Sequence, residues 1–322
     1  MHKIPYRTKS AYLCSMKIQS APIQGYTNAF WRNTHEKMFG GVEAYHTPFL
    51  RVEHGEVRRK DVRDISPDNN TVAHLVPQIL GSSLDETREM LAVATDFGYK
   101  EVDINLGCPY PPVARKHKGC GLLADTDALK SLLDFLDTMR GSVSFSFKMR
   151  LGMESEEEGK AAIGLIDSFA PSQITIHARL GKQQYKGECD IDSFERIIAG
   201  VSSKIVYNGD ILDCAGIEAI GERFKNIDTV MIGRALLSNP ALAREYNGGA
   251  PLSPGEWLEF ISSLFYYYSD TLQGDAHILA KMKPYWEYAP EFVDRKVLKL
   301  VKKSVSVAKY SAAVDAFAAS IR

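Results

Sequence analysis

Cysteine is scarce and scattered in this chain: five residues in 322, Cys14, Cys108, Cys120, Cys189 and Cys214. No pair has the short CxxC spacing of a zinc or redox site, so no metal is expected. An odd count with wide gaps suits reduced thiols rather than a disulfide framework. No apolar run approaches the ~18 residues of a membrane span. The opening stretch "MHKIPYRTKSAYLCSM" lacks the apolar core of a signal peptide. These absences predict a cytoplasmic chain without membrane contact, expected to be a monomer. The Rossmann fingerprint GxGxxG is also missing, which argues against a dinucleotide held on a domain of its own. Charge of one sign is lacking too: 39 Lys and Arg stand against 40 Asp and Glu, a net charge of -1. Any surface for nucleic acid must therefore be local.

Present instead is a repeated alternation. Strand-like runs occur at "MKIQSAP" (16–22), "VEAYHTPF" (42–49), "VAHLVPQILG" (72–81) and "EVDINLG" (101–107). Four more follow: "VSFSFKMRL" (143–151), "QITIHAR" (173–179), "KIVYNGD" (204–210) and "TVMIGRA" (229–235). Several are too uniformly apolar for a half-exposed sheet and fit parallel strands buried on both faces. The segments between them read as helices. Ser83 is a cap candidate and Gly98 a stop, with Leu84, Met90, Leu91 and Ala94 on one face. A second helix runs from Asp125 to Gly141, and the acids at 154–158 suit the start of another. The charged link 51–70 is irregular. The pattern predicts an α/β fold, a (β/α)8 TIM barrel over residues 1–249. After the Gly/Pro-rich "NGGAPLSPGEW" no strand recurs, which predicts a smaller C-terminal helical domain over 250–322.

In such barrels the active site lies where strands end. Here those ends carry Pro22 and Gln24, Gln78, Asn105 with Cys108, Lys148 with Arg150, and His177 with Arg179. The last two add Asn208-Gly209-Asp210 and Gly233-Arg234. A single strand-end Asn or His commonly satisfies a local backbone group. Seven of eight ends converging on one rim predict a functional site. The glycines of "YNGD" and "IGRA" let backbone approach a phosphate, and Arg234 adds charge. Gln78 and Asn105 offer paired donors and acceptors to a planar amide-edged ring, and Lys148 a cation beside it. Phosphate, ring amides and a cation together suit flavin mononucleotide, FMN.

The ordered set "APIQGYTN", "PQILG", "DINLGCP", "FKMRLG", "IHAR", "YNGD" and "MIGRA" resembles the tRNA-dihydrouridine synthase family, flavoenzymes that reduce uridine in RNA. The tail segment "AHILAKMKPYWEYAP" is similar to that family's RNA-binding domain. The resemblance implies that Pro22, Ile23 and Gln24 lie against the flavin. It implies that Gln78 bonds the ring, Lys148 faces its N1/O2 side, and His177 touches flavin or substrate. Asn208, Gly209, Asp210, Gly233 and Arg234 would hold ribityl and phosphate, while Asn105 and Arg179 address the uracil. Cys108 would be the proton donor. NADPH would reduce the flavin, hydride would pass to C6 of the uracil, and a thiol above C5 would donate its proton. A thiol near its ordinary value of ~8.5 is mostly protonated at neutral pH and so starts as an acid. The target base, stacked in folded tRNA, must be extruded first. The chain departs from the common family pattern at Ile23, where methionine is usual. It departs again at Ala178-Arg179-Leu180 and at Phe194, and none of these removes a catalytic group.

Arg115, Lys116 and Lys118 follow Cys108 and would rim the mouth against RNA. Between 281 and 309, eight Lys and Arg face three acids, a local balance of +5. A solvated face is the ordinary explanation of such a run, but Tyr285, Trp286 and Tyr288 beside it could stack on bases. Cys120 is read as structural. Two alternatives stay open: a flavin reductase of a free pyrimidine or enone, and a catalytically silent RNA-binding barrel.

Overall fold

The computed structural model describes residues 16–321, so Cys14 and positions 1–15 of the opening stretch lie outside the described residues. The strands are β1 (Lys17–Ser20), β2 (Ala44–His46), β3 (Val52–Glu53), β4 (Glu56–Val57), β5 (Leu75–Val76) and β6 (Gln78–Leu80). They continue as β7 (Glu101–Leu106), β8 (Ser144–Arg150), β9 (Ile174–His177), β10 (Ile205–Asn208) and β11 (Thr229–Ile232). Nine form one parallel sheet in the order β5-β2-β1-β11-β10-β9-β8-β7-β6, and β3 and β4 make a separate antiparallel hairpin.

The third predicted run is split because Pro77 has no N–H to give to the ladder. Its carbonyl still accepts from Asp103 N at 2.9 Å. β5 and β6 are therefore one kinked strand. One half pairs with β2, the other with β7, and a bridge from Leu50 to Ile79 supports the join. Counted this way the sheet closes into the expected eight-position barrel.

The surrounding helices are α1 (Ala29–Met38), α2 (Arg59–Ile65), α3 (Leu84–Asp96), α4 (Pro111–Ala114), α5 (Thr126–Asp137) and α6 (Glu156–Phe169). Then come α7 (Ile191–Ile198), α8 (Cys214–Arg223), α9 (Arg234–Ser238) and α10 (Leu242–Tyr246). The irregular link holds the β3–β4 hairpin and the short α2. α3 starts after Ser83, whose side chain makes no capping bond, and it ends before Gly98 at φ +83°. Its buried face is Thr87, Met90, Leu91 and Ala94, while Leu84, expected inside, points outward. Asp125 caps α5 by accepting from Ala128 N at 3.1 Å. The acid-rich start of α6 is held by Glu158, which accepts from Met153 N at 2.7 Å and Glu154 N at 2.8 Å.

Beyond the barrel lie α11 (Pro254–Thr271), α12 (Asp275–Trp286), α13 (Arg295–Lys303) and α14 (Val307–Ser320). They share one continuous apolar core with the barrel. The join is aromatic: Phe30 on α1 stacks on Tyr267 with centroids 4.1 Å apart, and Asn28 Nδ2 donates to Tyr268 OH at 3.1 Å. Tyr285 OH donates to the carbonyl of Tyr26 at 2.7 Å. Two rings expected to meet RNA bases are used here instead. Trp286 lies edge-on to Trp257 at 4.9 Å and donates Nε1–H to Tyr310 OH at 2.9 Å. Tyr285 and Trp286 are buried, so stacking on a base is open to neither. Lys296, Lys299 and Lys303 are exposed. No helix among the described residues is long and apolar enough to cross a membrane.

Candidate active site

Side chains on a strand alternate between faces, so Lys148 and Arg150 share one face, as do Asp103 and Asn105. Lateral register completes the layers. Asn105 lies beside Lys148, Arg150 beside His177, and His177 beside Asn208. The strand-end residues of β7 to β10 thus converge at the C-terminal mouth of the barrel.

A cavity of about 440 Å³ opens there. Its wall includes Pro22, Ile23, Gln24, Lys148, His177, Asn208, Gly209, Asp210, Gly233 and Arg234. Every expected cofactor residue but one is on that wall. The exception is Gln78, which is fully buried behind it. Its Nε2 donates to Asp103 Oδ2 at 2.7 Å, and its Oε1 accepts from Asn105 Nδ2 at 2.8 Å. Gln78 thus holds Asn105.

Lys148 Nζ donates to Asn208 Oδ1 at 2.9 Å, and Asn208 Nδ2 donates to the carbonyl of Met231 at 2.7 Å. Burial, assisted by the charge of Arg150, lowers the Lys148 ammonium to about 8. Burial likewise keeps His177 well below its ordinary 6.5, with the Lys148, Arg150, Arg179 and Arg234 charges adding to the effect. The imidazole is therefore neutral at physiological pH. Its Nε2 sits 3.2 Å from Arg179 Nη1, where the guanidinium donates to it.

Arg179 is also buried. It donates to the carbonyl of Gly187 at 2.7 Å and pairs with Asp210. Arg234 donates to the other Asp210 oxygen at 2.8 Å. Burial disfavours the charged carboxylate of Asp210, but the Arg179 and Arg234 guanidiniums outweigh it and hold the group below its ordinary value. Arg179 does not line the cavity and braces Asp210 and His177. The wall itself carries two cations, Lys148 and Arg234, against Asp210. That balance admits an anion.

Two glycines of the wall are set by close packing of the protein itself. Gly209 has φ +142°, and a Cβ there would lie 2.5 Å from Cys189 Sγ. At Gly233 a Cβ would meet Ile23 Cδ1 at 3.3 Å. α9 begins at the next residue and has no side-chain cap. Gly233 and Arg234 can thus present backbone and charge to a phosphate.

Cys108 sits just past β7. Its amide and that of Gly107 donate to Asn105 Oδ1 at 2.9 and 3.0 Å, which fixes the turn. Burial pushes the thiol up from its ordinary value, so it is held as the protonated acid. Cys108 and Asn105 stand beside the cavity rather than on its wall. Cys120 is buried, and its Sγ donates to the carbonyl of Gly152 at 3.5 Å. Of the basic run after Cys108, Arg115 and Lys116 are exposed at the end of α4. Lys118 is committed elsewhere: its Nζ donates to Glu86 Oε1 at 2.6 Å. Of Arg115, Lys116 and Lys118, only Lys118 is held in an ion pair among the described residues.

Two wall aromatics, Tyr185 and Tyr26, were not singled out from sequence, and Tyr288 was read only as a ring for RNA. Tyr185, exposed at the mouth, has Arg150 and Arg234 over its ring at 5.5 and 5.2 Å. An aromatic in the loop after "IHAR" was the available signal. Tyr288 reaches the wall from the helical tail, edge-on to Tyr26 at 5.5 Å, and Tyr26 lines it too. Arg150, noted only as a strand end, ties loops together. It donates to the carbonyls of Gly107 at 3.0 Å, Leu180 at 3.0 Å and Gln184 at 2.8 Å.

Comparison with known proteins agrees with this geometry. The family model for dihydrouridine synthase matches residues 19–317. A tRNA-dihydrouridine(16) synthase of Neisseria meningitidis serogroup B is 29% identical over 259 residues, 76% of this chain and 75% of that protein. A tRNA-dihydrouridine synthase B of Klebsiella pneumoniae is 28% identical over 235 residues, 73% and 72% of the two chains. Among solved structures, morphinone reductase aligns with a TM-score of 0.51 at 11% identity, over 74% of this chain and 87% of that one. That last likeness shows the barrel fold. With its strand-end rim and nearly all of its barrel and helical tail inside the matched region, the chain belongs to the dihydrouridine synthase family of oxidoreductases.

Proposed function

We propose that the chain reduces the C5–C6 double bond of uridines in tRNA to 5,6-dihydrouridine, using FMN in the barrel cavity and NADPH as reductant. The observation that carries this reading is the wall of the cavity. It combines an uncapped helix start with Gly233 and Arg234, a buried cation at Lys148, and the backbone of Gly209 on the wall. These fit a phosphate, a ring that takes on negative charge, and a ribityl chain. Bound FMN supplies hydride to C6 of the uracil.

The remaining work falls to this chain's side chains. Arg234 binds the phosphate, and Asp210 fixes the guanidinium that does so. Lys148, held by Asn208, places positive charge beside the ring. Pro22, Ile23 and Gln24 on the wall would hold the ring, with neutral His177 available as a hydrogen-bonding neighbour. Asn105 fixes the turn that carries Cys108. The Cys108 thiol, kept protonated by burial, donates its proton to C5 of the uracil, and the resulting thiolate regains a proton from solvent. Residues 1–249 form the FMN-binding unit, and 250–322 the RNA-docking unit, whose exposed Lys296, Lys299 and Lys303 meet phosphates. Arg115 and Lys116 extend that surface to the mouth. The setting proposed is a cytoplasmic monomer acting on an extruded base.

The test is direct. Purified chain titrated with FMN should bind it with quenching of flavin fluorescence. The complex should then bleach with NADPH and recolour on adding tRNA that lacks dihydrouridine. A chain that binds no FMN, or whose reduced flavin ignores tRNA, contradicts the proposal.

A further inference from the structure

The geometry points to Asp103 as a positioning residue for the reaction, acting on Cys108 through Gln78 and Asn105; this rests on the function proposed above. Asp103 lies inside the barrel, fully buried, one layer beneath Asn105 on the same face of β7. Register puts it between Gln78 on β6 and Ser146 on β8. Both donate to it: Ser146 Oγ to Oδ1 at 2.7 Å and Gln78 Nε2 to Oδ2 at 2.7 Å. His46 Nδ1 stands 3.8 Å from Oδ2, and among the described residues neither of its ring nitrogens has a hydrogen-bond partner.

The chain of bonds has one sense. A carboxylate accepts and does not donate, so the NH2 of Gln78 faces Asp103 and its oxygen faces Asn105. That oxygen accepts from Asn105 Nδ2 at 2.8 Å, which turns the Asn105 oxygen toward the backbone. There it accepts from the amides of Gly107 and Cys108, groups that can only donate. Both termini demand the same orientation of the two amides. Asp103 is the acceptor at one end and the Cys108 turn is the donor at the other. Remove the acceptor, and Gln78 loses the bond that holds its amide, with Asn105 and the turn loosened in sequence. Displacing a catalytic group by ~1 Å costs about 100-fold in rate.

The two half-reactions separate this role from a structural one. Reduction of the flavin by NADPH does not use Cys108, whereas reoxidation by unmodified tRNA does. In the FMN-loaded full chain, Asp103→Leu should slow reoxidation by tRNA about tenfold or more, the size of a lost bond to a charged group. The NADPH step should be slowed clearly less than the tRNA step, because Asp103 reaches the flavin side only through its support of the Lys148 charge. Asp103→Asn keeps an acceptor for Gln78, because Ser146 can accept from the new amide, so it should recover most of the rate. If Asp103→Leu does not fold, Asp103→Ala replaces it, removing the acceptor of Gln78 at smaller volume, and the same selective loss is expected. Reoxidation at the wild-type rate in the variant that folds overturns the proposal, as does equal slowing of both half-reactions. Cys108→Ala is the control. If wild type is not reoxidised by tRNA, or Cys108→Ala is reoxidised normally, the proposed function fails, whatever Asp103 does.

Discussion

Lys148 holds a charge where water scarcely reaches, and Lys148→Met removes it at nearly constant volume. Burial moves the ammonium from its ordinary 10.5 to about 8. That displacement corresponds to roughly 3 kcal/mol, at ~1.4 kcal/mol for each tenfold. The sign follows from proton counting. Between pH 8 and 10.5 the unfolded chain keeps a proton that the folded chain has released. Stability of the ligand-free protein from this group therefore rises with pH across that window, and the penalty is full below pH 8. The variant has no such group. It also loses the bond to Asn208 Oδ1, at a cost of ~1 kcal/mol independent of pH. The assay is urea denaturation of both ligand-free proteins from pH 7 to pH 10. Wild type should gain roughly 2–3 kcal/mol on the variant over that range. Saturating FMN should flatten the difference, because an anion beside Lys148 favours the charged form. Parallel stability profiles without ligand would refute the reasoning, since Lys148 would then titrate as it does in the unfolded chain.

Other outcomes follow from the same contacts. Arg234→Ala should weaken FMN binding about tenfold or more by fluorescence titration, the loss of one charge-assisted phosphate contact. Neutralising Arg115 and Lys116 together should lower the slope of log affinity for tRNA against log salt by about 2, one for each phosphate contact. Lys118→Ala should leave that slope unchanged and reduce stability, because its partner is Glu86. Trp286→Ala should cost about 3–5 kcal/mol in chemical denaturation, the range for a buried tryptophan. Removing everything from Ser253 onward should abolish soluble expression or FMN binding. It would strip α1 of Tyr267 and the cavity of Tyr288.

The barrel was readable because its strands are apolar runs at a helix-spaced interval, and because their ends carry polar residues that a core would not keep. Ten of the expected cofactor residues lie on one wall for that reason. Gln78 and Arg179 were legible as inward polar groups, but not as braces. Their roles depend on lateral neighbours, Asp103 and Asp210, that only the register brings alongside. The split of the third strand was signalled by Pro77. In α12, Ile278, Leu279, Met282, Tyr285 and Trp286 recur at helical spacing, the pattern of a buried face. Neighbouring lysines drew attention to the rings as RNA contacts, and burial decided otherwise. Tyr288 could not be assigned to the cavity from sequence, since the docking of the tail on α1 places it there.

The central claim is that Cys108 gives its proton to the substrate from a barrel that holds FMN. A single turnover of FMN-reduced Cys108→Ala with unmodified tRNA, in the absence of oxygen, tests it most directly. The expected result is normal FMN binding and normal reduction by NADPH, with dihydrouridine formation slowed by at least ~100-fold, the scale of general acid catalysis. Dihydrouridine appearing at the wild-type rate would contradict it.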